Sequence, residues 1–206
     1  MRSPMPRKMR TLPISFHPAS RARWSDVEEL FGERGACGGC WCMFWRLPRK
    51  QFDANKGEAN KKAFKRLITS GAEPGLIAYH GDEAIAWCAV APREQYIALD
   101  RSRILQPVDG QPVWSISCLF IKKPYRRQGV SSRLLRAAVD FAARRGGTIV
   151  EGYPVEPSME KMPDAFLWHG VPSAFRAAGF KEVLRRSRSR PIMRFAVRGL
   201  RPKKSK

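Results

Sequence analysis

Cys118-Leu-Phe-Ile-Lys-Lys-Pro-Tyr-Arg-Arg-Gln-Gly-Val-Ser-Ser-Arg-Leu-Leu135 decides how this chain is read. Its apolar opening completes a strand predicted over residues 113–121. Val130, Leu134, Ala138, Phe141 and Ala142 recur at helical spacing, so an amphipathic helix is predicted over 130–145, closed by Gly146-Gly147. Between the two, Gly129 lets the backbone approach a ligand with no Cβ in the way. The first N–H groups of a helix have no intrahelical acceptor, and with the helix dipole they attract an anion. Lys122, Lys123, Arg126 and Arg127 crowd the same turn. The expected occupant carries phosphate. It is not held by a P-loop, because no Gly-x4-Gly-Lys-Ser/Thr occurs, nor by a dinucleotide fingerprint, because no Gly-x-Gly-x-x-Gly follows a strand.

Outward from this stretch, strands and helices alternate. A short strand is expected over 11–16. Ser25 and Glu28 have the spacing of a capping box for a helix over 26–31. Helical spacing returns over 58–70. Residues 76–80 and 83–90 flank Gly81-Asp82 as a β-hairpin. Residues 92–112 read as a polar connection. A strand over 148–155, a short helix over 173–178 and an antiparallel pair over 180–186 and 191–197 complete the pattern, a mixed α/β single domain.

The 206 residues are 43% hydrophobic and 28% charged, enough for a core. No apolar run is long enough to span a membrane, and the first ten residues lack the apolar segment of a secretory signal. Five cysteines without such a signal predict reduced thiols in a cytoplasm. The net charge of +21 sits mainly at the ends: residues 1–23 carry six basic residues and no acid, and residues 181–206 carry eleven and one. Such ends favour nonspecific contact with polyanions, nucleic acid included.

Arg126-Arg127-Gln128-Gly129-Val130-Ser131 resembles the Arg/Gln-x-x-Gly-x-Gly/Ala turn of the GNAT superfamily of acyl-CoA-dependent N-acyltransferases, in its strand-before, helix-after setting. Ala177-Ala178-Gly179-Phe180 resembles the later helix-Gly-Phe-strand element. Ser131 departs from the family's Gly or Ala. The resemblance implies a GNAT-like domain over 11–198 with basic tails 1–10 and 199–206, built on a central mixed, mostly antiparallel sheet flanked by helices. It implies acetyl-CoA as co-substrate, no metal, and an amine acceptor attacked directly in a ternary complex by a monomer or homodimer. Leu119, Phe120 and Ile121 would meet the pantetheine arm. Gln128, Gly129, Val130, Ser131 and Ser132 would hold the pyrophosphate, with Arg126 and Arg127 beside it. Leu119 would offer its backbone N–H to the oxyanion. Many members place an acidic Tyr four residues before the helix-ending Gly; this chain has Phe175 there. Tyr153, His169 or Tyr125 would substitute for that acid, or the CoA thiolate would leave unassisted, and Glu151 and Glu156 are the candidates for the base.

Cys37-Gly-Gly-Cys40-Trp-Cys42 has alternative readings: a zinc site, if Cys88 or His17 joins it, a Cys-x-x-Cys redox pair, or a packed glycine turn presenting aromatics. The Gly-Cys-Trp-Cys-Met run is similar to loops of uncharacterised bacterial GNAT proteins. By the same resemblance Trp41, Phe44 and Trp45 border the acceptor, and Trp168 lies on a second apolar loop near it. A strongly cationic acceptor is disfavoured by the net charge; a neutral or anionic amine or a peptide N-terminus fits better. A second reading of the whole chain is a ribosome- or nucleic-acid-associated protein on a GNAT-like scaffold.

Overall fold

The computed structural model describes residues 13–157 and 167–197. Both basic tails, and residues 11 and 12 of the first predicted strand, lie outside the described residues. Seven strands form one sheet: β1 (Ser15–Pro18), β2 (Gly75–His80), β3 (Glu83–Pro92), β4 (Trp114–Ile121), β5 (Ile149–Gly152), β6 (Lys181–Arg185) and β7 (Pro191–Ala196), in the order β1-β2-β3-β4-β5-β7-β6. Every neighbouring pair is antiparallel except β4 and β5. The helices are α1 (Trp24–Phe31), α2 (Arg49–Ala54), α3 (Glu58–Thr69), α4 (Val130–Ala143) and α5 (Pro172–Ala177). The mixed, mostly antiparallel sheet with flanking helices is the expected architecture.

Helix α4 buries Val130, Leu134, Leu135, Ala138, Val139, Phe141 and Ala142 against one face of the sheet, alongside Ile85, Ile116 and Val150. Each large side chain among these contributes about 1.5–3 kcal/mol by leaving water. The other face carries α1, α3 and an aromatic core of Trp24, Phe31, Trp41, Phe64 and Trp87. A third cluster gathers Tyr96, Leu99 and Leu105 from the stretch read as polar connection around Tyr153 and Ile192.

The capping-box expectation is corrected. Helix α1 runs on from a 3-10 turn at Arg21–Arg23, so Ser25 already lies inside it and its hydroxyl faces Asp26 (3.4 Å) instead of a backbone N–H. The short α2 was not expected. The strand predicted over 148–155 pairs only as far as Gly152, for the reason that shapes the site.

Candidate active site

Strands β4 and β5 pair in parallel over three positions only, Trp114 with Val150, Ser115 with Glu151 and Ile116 with Gly152. Beyond Ile116 they part. Buried backbone groups must still be paired, and residues 168–170 do this: Leu119 N–H donates to the Trp168 carbonyl (2.6 Å), and Val155 N–H donates to the Gly170 carbonyl (2.9 Å). Gly170 has φ +77°, and a Cβ there would lie 2.8 Å from the Leu119 side chain. The turn therefore lies directly against β4. The expectation that Leu119 N–H stands open to an oxyanion is corrected: that donor is engaged by Trp168.

A cavity of about 420 Å³ opens beside this turn, lined by Leu119, Phe120, Ile121, Arg126 and Ser131 together with Leu167, Trp168, Gly170, Val171 and Ala174. Five of the expected cofactor residues thus line one cavity. The Arg126 guanidinium donates from Nε to the Ile121 carbonyl (2.8 Å), which fixes it at the strand end. Gly129 takes the left-handed conformation (φ +74°) as the N-cap of α4, and no side chain caps the helix there. Arg127 is also left-handed (φ +59°), a strained state for a side-chain-bearing residue. Gln128 folds back to donate to the Pro124 carbonyl (2.7 Å), Ser132 Oγ donates to the Gly129 carbonyl (2.9 Å), and Val130 is buried in the core. The N–H groups opening α4 point into a basic turn next to the cavity. That arrangement suits a pyrophosphate at the helix end and a slender chain along β4.

The family model for the acetyltransferase (GNAT) family matches residues 41–159. The chain belongs to the GNAT acetyltransferase family. Its structure is similar to a GNAT acetyltransferase from Listeria monocytogenes at 5% identity, covering 89% of this chain and 95% of that one with a TM-score of 0.55. It is also similar to the PaiA N-acetyltransferase of Thermoplasma acidophilum in complex with coenzyme A, at 14% identity over 90% and 99% of the chains with a TM-score of 0.50. A third likeness is a GNAT-family protein of Desulfovibrio desulfuricans, at 12% identity over 89% and 99% with a TM-score of 0.50. No curated protein sequence matches this chain. This GNAT chain is an acyl-CoA N-acyltransferase with acetyl-CoA as its co-substrate, and the comparisons lend no support to the nucleic-acid scaffold reading.

The other candidates of the GNAT site fall in different places. Glu151 and Tyr153 lie on one face of β5 and its continuation, fully buried in a polar network instead of at a cavity wall. Tyr153 Oη donates to Glu151 (2.8 Å) and accepts from the Arg93 guanidinium (2.7 Å) and from Ser115 Oγ (2.8 Å). Arg194 pairs with Glu151 (2.6 Å) and with Asp109 (2.7 Å). Burial first, and the Glu151 charge next, push the Tyr153 phenol well up. Neither residue lines the cavity beside Leu119; both are tied into the interior network, so their assignment as base and acid is corrected to a structural one. Glu156 pairs with Arg185 (3.1 Å), and Tyr125 donates to Glu83 (2.5 Å). His169 is 1% exposed and stacks on Trp168 with ring centroids 3.7 Å apart. It faces the Ser117 carbonyl without a well-formed hydrogen bond, and burial, then Arg190, hold its ring neutral. It lies beneath the cavity wall, not in it.

Phe175 occupies the position of the family's acidic Tyr, but its ring is driven into the core. A Cβ on Gly152 would meet that ring at 2.2 Å, and the neighbouring Ala174 faces the cavity instead. Phe175→Tyr is therefore expected to lower stability by about 1–3 kcal/mol, by overpacking and by burying an unpaired hydroxyl, without raising kcat. Thermal melts and acetyl-CoA turnover check this; a faster enzyme would restore the position's acid role.

A second cavity, of about 280 Å³, lies on the other side of Phe120. Phe44 and Trp168, two of the residues expected near the acceptor, line it, their rings 5.3 Å apart. Trp41 does not: it is 2% exposed, stacked with Trp24 at 6.1 Å in the aromatic core. Trp45 packs behind Phe44 (4.8 Å) and against His169 (5.7 Å). Phe52, Arg49, Lys56 and Cys118 also line this cavity and were not anticipated. Their signal was faint: one aromatic in a short charged helix, and a strand cysteine on the face opposite Leu119. Ala36, Cys37, Leu119, Phe120 and Trp168 line both cavities, so the two meet there.

The cysteine loop is a packed turn held by unusual backbone. Ala36, Trp41 and Cys42 all have positive φ (67°, 44° and 54°). All five cysteines are free thiols, and among the described residues no group of His, Cys, Asp and Glu is arranged to hold a metal. Among the described residues, no helix is long and apolar enough to cross a membrane.

Proposed function

We propose that the enzyme acetylates a primary amine of a small molecule or peptide by direct attack within a ternary complex. The meeting of the two cavities at Cys37, Leu119, Phe120 and Trp168 supports this. One cavity runs to the uncapped end of α4, where the phosphates of acetyl-CoA would sit on the N–H groups of residues 128–132 beside Arg126 and Arg127. The other holds the acceptor. The amine nitrogen and the thioester carbon then come together without an enzyme-bound intermediate.

Among the described residues, neither cavity wall carries a carboxyl, imidazole or phenol. The amine can attack only as its free base, so its proton passes to solvent and kcat/KM rises with pH through the acceptor's own pKa. The thiolate leaves unassisted by Phe175. The enzyme acts in the cytoplasm as a monomer or homodimer, and its basic ends make nonspecific contact with polyanions.

Initial-rate kinetics test the reaction order. Intersecting double-reciprocal lines, with Cys37→Ser still active, are the expected result. Parallel lines together with acetyl trapped on Cys37 would show that the thiol shared by both cavities carries the acyl group, and would overturn direct attack.

A further inference from the structure

The second cavity has a wall and a mouth of different chemistry. The rings of Phe44, Phe52, Phe120 and Trp168 form the wall, with the thiols of Cys40 and Cys118 between them. Burial, with Cys42 adding to it, pushes the Cys40 thiol up to about 12, and Cys118 is also raised, first by its hydrogen bond with Cys42. These sulfurs stay protonated at neutral pH and act as soft, polarisable wall.

The mouth is charged. Arg49 lies over Phe44 with its guanidinium carbon 5.4 Å from the ring centre, and Lys56 Nζ lies 5.6 Å from the Phe52 ring. Asp53 holds both cations, at 2.6 Å from Arg49 and 2.9 Å from Lys56. Two cations around one carboxylate leave an excess of positive charge, and all three groups stay accessible, at 68%, 48% and 39% side-chain exposure. The chain as a whole is +21, so the wider field has the same sign.

Resting on the acetyl-transfer reading, we infer that the acceptor is a primary amine on an aromatic body with an anionic group at the end remote from the amine. The amine reaches the junction at Leu119 and Phe120, where the thioester lies. The flat body fills the ring-lined cavity, where edge-to-face contacts favour another ring. The far end emerges between Arg49 and Lys56, where a carboxylate competes with Asp53 for two donors already turned towards the cavity. An acceptor with a cation at that end meets repulsion from both.

Three matched probes separate the contributions: 4-(aminomethyl)benzoate, benzylamine and 4-(aminomethyl)benzamidine, with thiol release from acetyl-CoA as the readout at low salt. The expected order of kcat/KM is benzoate over benzylamine over benzamidine, with at least ten-fold between the extremes. The double variant Arg49→Glu/Lys56→Glu should cut the benzoate-to-benzylamine ratio ten-fold or more, and Asp53→Asn should raise it. A benzamidine probe used as well as the benzoate, or a ratio indifferent to both variants, would overturn the inference. Calorimetry of 4-(aminomethyl)benzoate on the enzyme without acetyl-CoA reads the acceptor cavity alone. Failure there overturns this inference, whereas failure of acetyl-CoA to bind falls on the acetyl-transfer reading, because Arg49 and Lys56 do not line the cofactor cavity.

Discussion

Gly129→Trp should weaken acetyl-CoA binding at least about 100-fold while the protein still unfolds cooperatively. Gly129 sits at φ +74° at the head of α4, and a Cβ added there meets no protein atom within 4 Å. The substitution therefore costs the fold only the left-handed backbone penalty, about 1–2 kcal/mol. The indole covers the N–H groups that open α4, and these are the groups that would hold the pyrophosphate. A hundred-fold loss corresponds to about 2.7 kcal/mol of binding, a reasonable share for several backbone hydrogen bonds to a dianion at a helix end. Gly129→Ala carries the same backbone strain with little bulk, so its smaller loss separates conformation from obstruction. Calorimetry with both variants decides the matter. Unchanged affinity in the Trp variant would place the phosphates elsewhere.

Glu151→Ala is expected to be the most destabilising single change. The side chain is fully buried and joined to Arg194, Arg93 and Tyr153 at once. Its removal takes the buried carboxylate from two guanidinium groups and leaves them only the outer partners, Asp109 for Arg194 and Asp100 for Arg93, at a cost of about 3 kcal/mol, or roughly a 10 °C fall in melting temperature for a chain of this size. Glu151→Gln keeps acceptor and donor atoms in place and should lose less. The discriminating measurement is turnover at a temperature where the Gln variant remains folded. A structural carboxyl predicts a normal pH profile with reduced melting temperature. A general base predicts a large drop in kcat and the loss of the acid limb, at little cost in stability.

Much of the fold was legible because its deciding stretch is local. Strand, turn and helix in residues 118–135 each announce themselves by spacing, and the helix predicted over 130–145 is α4 at Val130–Ala143. The end of β5 was not legible, since nothing in residues 153–155 reveals that β4 has diverged and that residues 168–170 take its place. The polar network was half visible: Glu151 and Tyr153 stand two apart on a strand and so share a face, but Arg93 and Arg194 arrive from distant sequence. Reading that pair as catalytic was natural for polar groups near a cofactor motif, and burial decided otherwise. Trp41 and Phe44 look alike in sequence. Trp41 turns inward because its backbone takes φ +44°, closing over Gly35, where a Cβ would lie 2.4 Å from the indole nitrogen.

The brief pairing of β4 with β5 has a consequence for how the chain acquires its shape. Strands β1, β2, β3 and β4 pair in chain order, β2 with β3 as a tight hairpin, and β5, β7 and β6 form a second group with β7 between the other two. Only three residue pairs join the groups through the sheet, and their parallel register needs the whole of α4 as a crossover. Such non-local contacts reward the chain late, after the loop-closure entropy has been met. The seam should therefore form last in folding, and the cleft between the two groups exists only once it has. A nascent chain halted before β5 would have a hairpin-rich sheet with an unpaired edge at β4, the edge that residues 168–170 later cover.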